Sequence, residues 1–132
     1  MSSCVDTSAF YAYLVPRDRG HRAIRKELEG RARRGETLFS SSFVLCETLG
    51  LLQARHGSAS VTTFLGSVFP MVEWRWVDEA LFERIRQILG GRSSRAFTSV
   101  DASCVACVLE RPGSDCIALD DDLKGFGFEV RP

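Results

Sequence analysis

Four carboxylates spread along the chain, Asp6, Glu47, Asp101 and Asp120, have the settings expected of ligands for a divalent cation. Asp6 follows a short apolar run, Ser3–Val5, and Asp120 follows another, Cys116–Leu119. Glu47 lies inside the apolar stretch FVLCETLGLL, where a carboxylate needs a partner or an edge location. Each acid also has an ordinary reading. Asp6, ahead of Thr7 and Ser8, fits a helix N-cap, and so does Asp101. Glu47 fits a solvated helix position, and Asp120 opens an Asp-Asp-Asp run of the kind found in exposed turns. Together they read differently. Like charges about 4 Å apart repel by about 4 kcal/mol at an effective dielectric of about 20. Carboxylates that converge therefore need a neutralising cation, and an all-oxygen donor set favours Mg²⁺ or Mn²⁺ over Zn²⁺. Such a cation lowers the pKa of a bound water and stabilises the charge of an in-line displacement at phosphorus.

The elements that must position these acids alternate between short apolar runs and amphipathic stretches. Strands are expected at Ser3–Val5, Thr37–Ser40, Met71–Val77, Cys116–Leu119 and Phe128–Val130, from apolar runs and period-two alternation. Helices are expected at Thr7–Leu14, Arg17–Arg34, from the Ser40–Ser42 caps to about Arg55, at Ala59–Phe69, at Asp78–Leu89 with Asp78 as cap, and at Ala102–Glu110 with Asp101 as cap. The helix around Glu47 reads as mostly buried. Residues 92–97 read as a loop. Strands separated by helices imply an α/β domain with a parallel sheet flanked by helices. Ligands in such folds bind beyond the carboxyl ends of the strands, where Asp6 and Asp120 are expected.

The 132 residues fit a single domain spanning 1–132, with 45% hydrophobic residues to fill one core. Lys+Arg and Asp+Glu balance at 17 each, so net charge is silent about a polyanionic partner. The distribution is not silent. Eight basic residues, Arg17, Arg19, Arg22, Arg25, Lys26, Arg31, Arg33 and Arg34, crowd into residues 17–34. They suit either phosphate contacts or a solvated helix face with pairs such as Glu27–Arg31. The 5 cysteines match no secreted disulfide scaffold. The N-terminal stretch carries Asp6 within its apolar part and reads as no signal peptide, and no apolar run approaches the ~20 residues of a membrane helix. The expected setting is cytoplasmic, with free thiols. Cys104-x-x-Cys107 lacks further ligands at zinc spacing and reads as buried packing. Cys4, Cys46 and Cys104 stand within three residues of Asp6, Glu47 and Asp101, so oxidation there is expected to disturb the acids. His21 and His56 read as non-catalytic. Trp74 and Trp76 read as core or dimer packing.

The residues Val5-Asp6-Thr7-Ser8-Ala9, Glu47 within Ser-Ser-Phe-Val-Leu-Cys-Glu-Thr-Leu, Thr98-Ser99-Val100-Asp101-Ala102-Ser103, and Ala118-Leu119-Asp120 with Gly125-Phe-Gly-Phe-Glu-Val beyond it resemble the PIN domain, and within it VapC-type toxins. The resemblance runs from Asp6 to Val130. It implies a PIN-like three-layer sandwich with a five-stranded parallel sheet, and Mg²⁺- or Mn²⁺-dependent cleavage of RNA. It implies that Asp6, Glu47 and Asp101 are the core metal-binding acids and Asp120 the variable fourth, with Thr7, Ser8 and Thr98 supporting them. It also implies a cognate antitoxin protein and a homodimer. Arg17, Arg22 and Arg25 are the candidate RNA contacts. One departure stands out: Asp122 occupies the place, two positions after the fourth acid, where many VapC proteins carry a basic residue or His.

Other readings fit less well. A catalytically silent PIN-like module is opposed by the complete acid set. A haloacid-dehalogenase-type phosphatase needs a second Asp two residues after the first, where this chain has Ser8. A phosphotransfer receiver needs a paired acid near the first Asp and a downstream Lys, and Lys124 sits too late in the chain.

Overall fold

Parallel strands covered on both faces are enclosed along most of their length, and the first strand shows this. β1 (Ser2–Val5) is buried along Ser3, Cys4 and Val5. It is the middle of a five-stranded sheet in the order β3-β2-β1-β4-β5, with every pair parallel. The other strands are β2 (Thr37–Ser41), β3 (Glu73–Arg75), β4 (Asp115–Ile117) and β5 (Val130–Arg131). This computed structural model describes residues 1–92 and 94–132. The expected 92–97 loop includes Ser93, which lies outside the described residues.

Six helices connect the strands: α1 (Thr7–Leu14), α2 (His21–Arg33), α3 (Ser42–His56), α4 (Ser58–Ser67), α5 (Glu79–Gly90) and α6 (Ser99–Leu109). Helix α6 packs directly on β1 and β2, and it also touches α3 and α5. It can do so because Ala102 to Val108 are all buried, Cys104 and Cys107 among them. The expected α/β architecture with a five-stranded parallel sheet is therefore present. Within the one core, Phe10, Phe64 and Trp74 form an aromatic cluster, with Phe10 and Phe64 edge-to-face at 5.5 Å. No described helix is long and apolar enough to cross a membrane.

Several boundaries differ from expectation for local reasons. Helix α2 starts at His21 rather than Arg17, because Asp18 builds a turn: its carboxylate accepts from Gly20 N at 2.8 Å and its carbonyl from His21 N. Helix α6 starts at Ser99, so Asp101 is not its N-cap. Thr98 is the cap, and Asp101, three residues on, returns the bond to Thr98 N at 2.9 Å. This is a capping box, in which two orphan amides are satisfied reciprocally. β3 shrinks to three residues because Phe69–Met71 forms a 3-10 turn ahead of it. Trp74 is half-buried there, stacked on Phe69 with its Nε1–H bonded to the Phe69 carbonyl, whereas Trp76 is exposed. In α3 only Val44, Leu45, Thr48 and Leu52 are buried, so this helix is less enclosed than its composition suggests.

The amino end of the sheet is held by a buried ion pair. Arg31, on α2, was expected on a solvated face with Glu27. The Glu27 pair forms, but the guanidinium is 4% exposed and runs inward to Asp115 at the start of β4. The contact is bidentate, at 3.1 and 2.9 Å, and Ser3 of β1 bonds both partners. This links a helix and two adjacent strands through residues with no sequence proximity. Removing one member of a buried pair strands the other charge, which costs about 3–5 kcal/mol. Arg31→Met is therefore expected to lower unfolding free energy by about 3 kcal/mol or more in urea titration. The double variant Arg31→Met/Asp115→Leu is expected to lose clearly less than the sum of the two single changes. Additive losses would contradict the linkage.

Candidate active site

The direction of winding reverses between β1 and β4, and a crevice opens beyond their carboxyl ends, as in other open parallel sheets. A cleft of about 450 Å³ occupies this place. Asp6, Thr7, Ser8, Glu47, Thr98, Asp101 and Asp120 all line it. All seven residues expected to form or support the site therefore share one cleft, although they span most of the chain.

Asp6 is the innermost. It extends β1, its amide bonding the Ile117 carbonyl of β4 at 3.0 Å. It also caps α1, as its ordinary reading expects. Its Oδ2 accepts from Ser8 N at 3.3 Å and from Ser8 Oγ at 2.8 Å. Its Oδ1 faces the Cys104 thiol at 3.6 Å. Ser8 Oγ in turn accepts from Leu119 N at 3.0 Å. One hydroxyl thus fixes both Asp6 and the segment leading to Asp120. The Val5 carbonyl beneath is held by Ser40 Oγ at 2.6 Å.

Asp101 reaches the cleft from the first turn of α6. Thr98 orients it by donating from both backbone and hydroxyl to Oδ2, at 2.9 and 3.1 Å, which leaves Oδ1 without a donor among the described residues. Cys104 lies three residues further along α6 and so on the same face. Glu47 stands on α3 as an exposed carboxylate. Asp120 is exposed and comes three residues after the end of β4, not directly after it, at the start of a 3-10 turn over Asp121–Leu123.

The charges in the cleft oppose one another. Burial pushes the Asp6 carboxyl up to about 6; the Ser8 hydroxyl pulls it back and the Asp101 charge adds to the rise. Asp101 is raised mainly by burial, with Asp122 and Glu47 contributing against the Thr98 bonds. Asp120 is raised by burial and then by Asp122 and Asp121. Asp122, expected to depart from the usual pattern, therefore acts here as another repelling acid. The described His, Cys, Asp and Glu residues include no preformed group of three at metal-binding distances. The donor chemistry nonetheless fits a hard divalent cation. Carboxylate oxygens share one cleft and are short of positive charge. The buried Thr7 Oγ1 beside Asp6 has no hydrogen-bond partner among the described residues.

The structure also adds residues that sequence reasoning missed. Tyr11, Asp18, Leu51 and Arg55 line the same cleft. Glu47, Leu51 and Arg55 recur at i+4, so the helical period carried the signal. The candidate arginines are dispersed: Arg17 borders a neighbouring hollow with Asp120, Arg25 pairs with Glu29, and Arg22 is exposed on α2. Neither Arg22 nor Arg25 lines the acidic cleft. The cysteines are free thiols, with Cys46 exposed and Cys4, Cys104, Cys107 and Cys116 buried.

A five-stranded parallel α/β sheet with an acidic cleft at its switch point defines a class, and comparison narrows it. The PIN domain family matches residues 3–129, and the chain belongs to that family. VapC20 of Mycobacterium tuberculosis, described as a sarcin-ricin loop cleaving toxin, is 25% identical and superposes with a TM-score of 0.86 over 100% of both chains. VapBC2 of Rickettsia felis, solved with a DNA fragment from its promoter, is 12% identical, with a TM-score of 0.69 over 99% of this chain and 98% of that one. The fold is thus that of the VapC-type PIN domain. Among curated protein sequences none matches significantly.

The buried Asp6 carries a test of its own. Its folded pKa, about 6, lies above the ordinary 3.8. The folded state therefore holds the proton that the unfolded state releases, and stability falls as pH rises from about 4 through 6. The shift corresponds to at most about 3 kcal/mol at neutral pH. Asp6→Asn removes this charge. Its melting temperature in EDTA at pH 7.5 is expected to exceed that of the unaltered chain by ~5 °C, with the gap closing near pH 4. An equal or lower melting temperature at pH 7.5 would count against a destabilising buried charge.

Proposed function

We propose that the chain is a divalent-metal-dependent endoribonuclease and the toxin of a toxin–antitoxin pair. The observation that carries this reading is the shared cleft, which gathers Asp6, Glu47, Asp101 and Asp120 at the switch point of a PIN fold. Mg²⁺ or Mn²⁺ is the assigned cofactor, by the hardness of the oxygen donors. Bound there, it would supply Lewis-acid activation of water and charge neutralisation at the phosphoryl group.

The residues divide the remaining work. Asp6 and Asp101 provide the buried carboxylates that hold the cation, oriented by Ser8 and Thr98 respectively. Glu47 offers an exposed carboxylate across the cleft, able to complete the cation's shell and to take a proton from an attacking water. Asp120 closes the site from the β4 side, its segment anchored through Ser8. Thr7 presents its unpartnered hydroxyl to the same space. We read residues 1–132 as one PIN-like domain acting in the cytoplasm. It acts as a homodimer and is inhibited by a cognate antitoxin protein. The sarcin-ricin loop named for VapC20 is the first RNA to try.

Purified protein with Mg²⁺ or Mn²⁺ is expected to cleave RNA, followed on denaturing gels, and EDTA to stop it. Asp6→Asn and Asp101→Asn should each lower the rate by at least roughly 10²-fold while circular dichroism stays unchanged. Asp120→Asn should cost less, about tenfold. Full activity in Asp6→Asn, or cleavage that persists in EDTA, would overturn this reading.

A further inference from the structure

The cleft contains a feature that the acid chemistry leaves unused. Six carboxylates line it, from Asp6, Asp18, Glu47, Asp101, Asp120 and Asp122, together with one basic side chain, Arg55. Arg55 is exposed, yet it makes no ion pair with any of them or with another described residue. Elsewhere on this surface arginines find acids readily, as in Arg25–Glu29, Arg75–Glu110 and Arg86–Glu83. Arg55 is held instead by an aromatic ring. Its guanidinium carbon lies 5.2 Å from the centroid of Tyr11. The Tyr11 hydroxyl is bonded to His56 Nε2 at 2.9 Å, and the two rings are 5.7 Å apart. Helix α1 supplies Tyr11 and the last turn of α3 supplies Arg55 and His56.

This arrangement keeps a planar, permanently charged group with all five donors open. Cation–π contact fixes its direction without consuming hydrogen bonds. The position also suits a strand passing through the acids. Arg55 lies eight residues after Glu47 on one helix face, a rise of about 12 Å at about 1.5 Å per residue. It therefore meets a polymer beyond the bond at the acids rather than the reacting group itself.

We infer that Arg55 binds a phosphate of the RNA backbone flanking the cleavage point, with Tyr11 and His56 as positioning residues for its guanidinium. This rests on the ribonuclease reading above. Arginine forms bidentate contacts with phosphate, and each such contact adds about one unit to the salt dependence of binding.

The test is fluorescence anisotropy with a labelled sarcin-ricin-type RNA hairpin and the full chain in EDTA, where no cleavage occurs, across a salt series. Arg55→Gln is expected to weaken binding roughly tenfold and to lower the salt slope by about one. Arg55→Lys, which keeps the charge but loses the fork, should fall between. Tyr11→Phe keeps the ring and loses the His56 bond, and should weaken binding by a few fold while leaving the salt slope unchanged. Mn²⁺ affinity, read by calorimetry, should be the same in all variants. Unchanged affinity and slope in Arg55→Gln would overturn the assignment, as would an unaltered chain that does not bind the hairpin. Failure of the ribonuclease reading shows separately, as absent cleavage by the unaltered chain in Mn²⁺.

Discussion

The structure is organised around a carboxylate placed where the fold does not want it. Asp6 is 3% exposed, at the end of the central strand, with a second acid nearby and no basic partner among the described residues. Burial of an unpaired carboxylate opposes folding, and the surrounding groups reduce that penalty without removing it. Ser8 gives Asp6 two donors, and Cys104 offers a weak third. Thr98 does the same for Asp101. None of these groups is cationic. The repulsion is therefore left over after folding, available to a cation that enters the cleft. A lysine or arginine in the same position would have stabilised the protein and occupied the site.

The contrast with the other end of the sheet makes the point. Asp115 starts the neighbouring strand and is as buried as Asp6, but it receives Arg31 in a bidentate pair and a hydroxyl from Ser3. The two carboxylates have similar burial and opposite electrostatic settings. At the amino end the charge is satisfied internally and fastens α2, β1 and β4 together. At the carboxyl end it is left unsatisfied, and the backbone around it is held by neutral hydroxyls such as Ser40 on the Val5 carbonyl. A cleft of about 530 Å³ also opens beside Asp115, but its acid is already committed to Arg31.

How much of this could be read from sequence follows from the range of each interaction. Alternation of apolar runs and amphipathic stretches is local, and it located all five strands and all six helices to within a few residues. Asp6 was legible because strand, acid and cap adjoin in the chain. The Thr98–Asp101 box was also local, in the spacing Thr-x-x-Asp, yet Asp101 was read as the cap itself because an acid before an apolar helix satisfies the same rule. Glu47 was readable only through resemblance, since its value depends on what α3 faces. The Arg31–Asp115 pair joins residues 84 apart, and no local pattern marks it. The Tyr11–Arg55 contact is equally non-local, though the i+4 series through Glu47 and Leu51 did point α3 toward the site.

Cleft charge also bears on what the site can take in. Among the described residues, six carboxylates and one arginine line the cleft, which gives it a strongly negative field. Outside it, Arg17 and Arg19 border the hollow next to Asp120. A polyanion approaching along that rim would meet attraction at the edge and repulsion at the centre. On the ribonuclease reading, a cation held by the acids would lower that repulsion at the centre. Arg55 is inside the cleft yet pairs with no acid among the described residues. On the inference above, it would take a neighbouring phosphate without having first to break an ion pair.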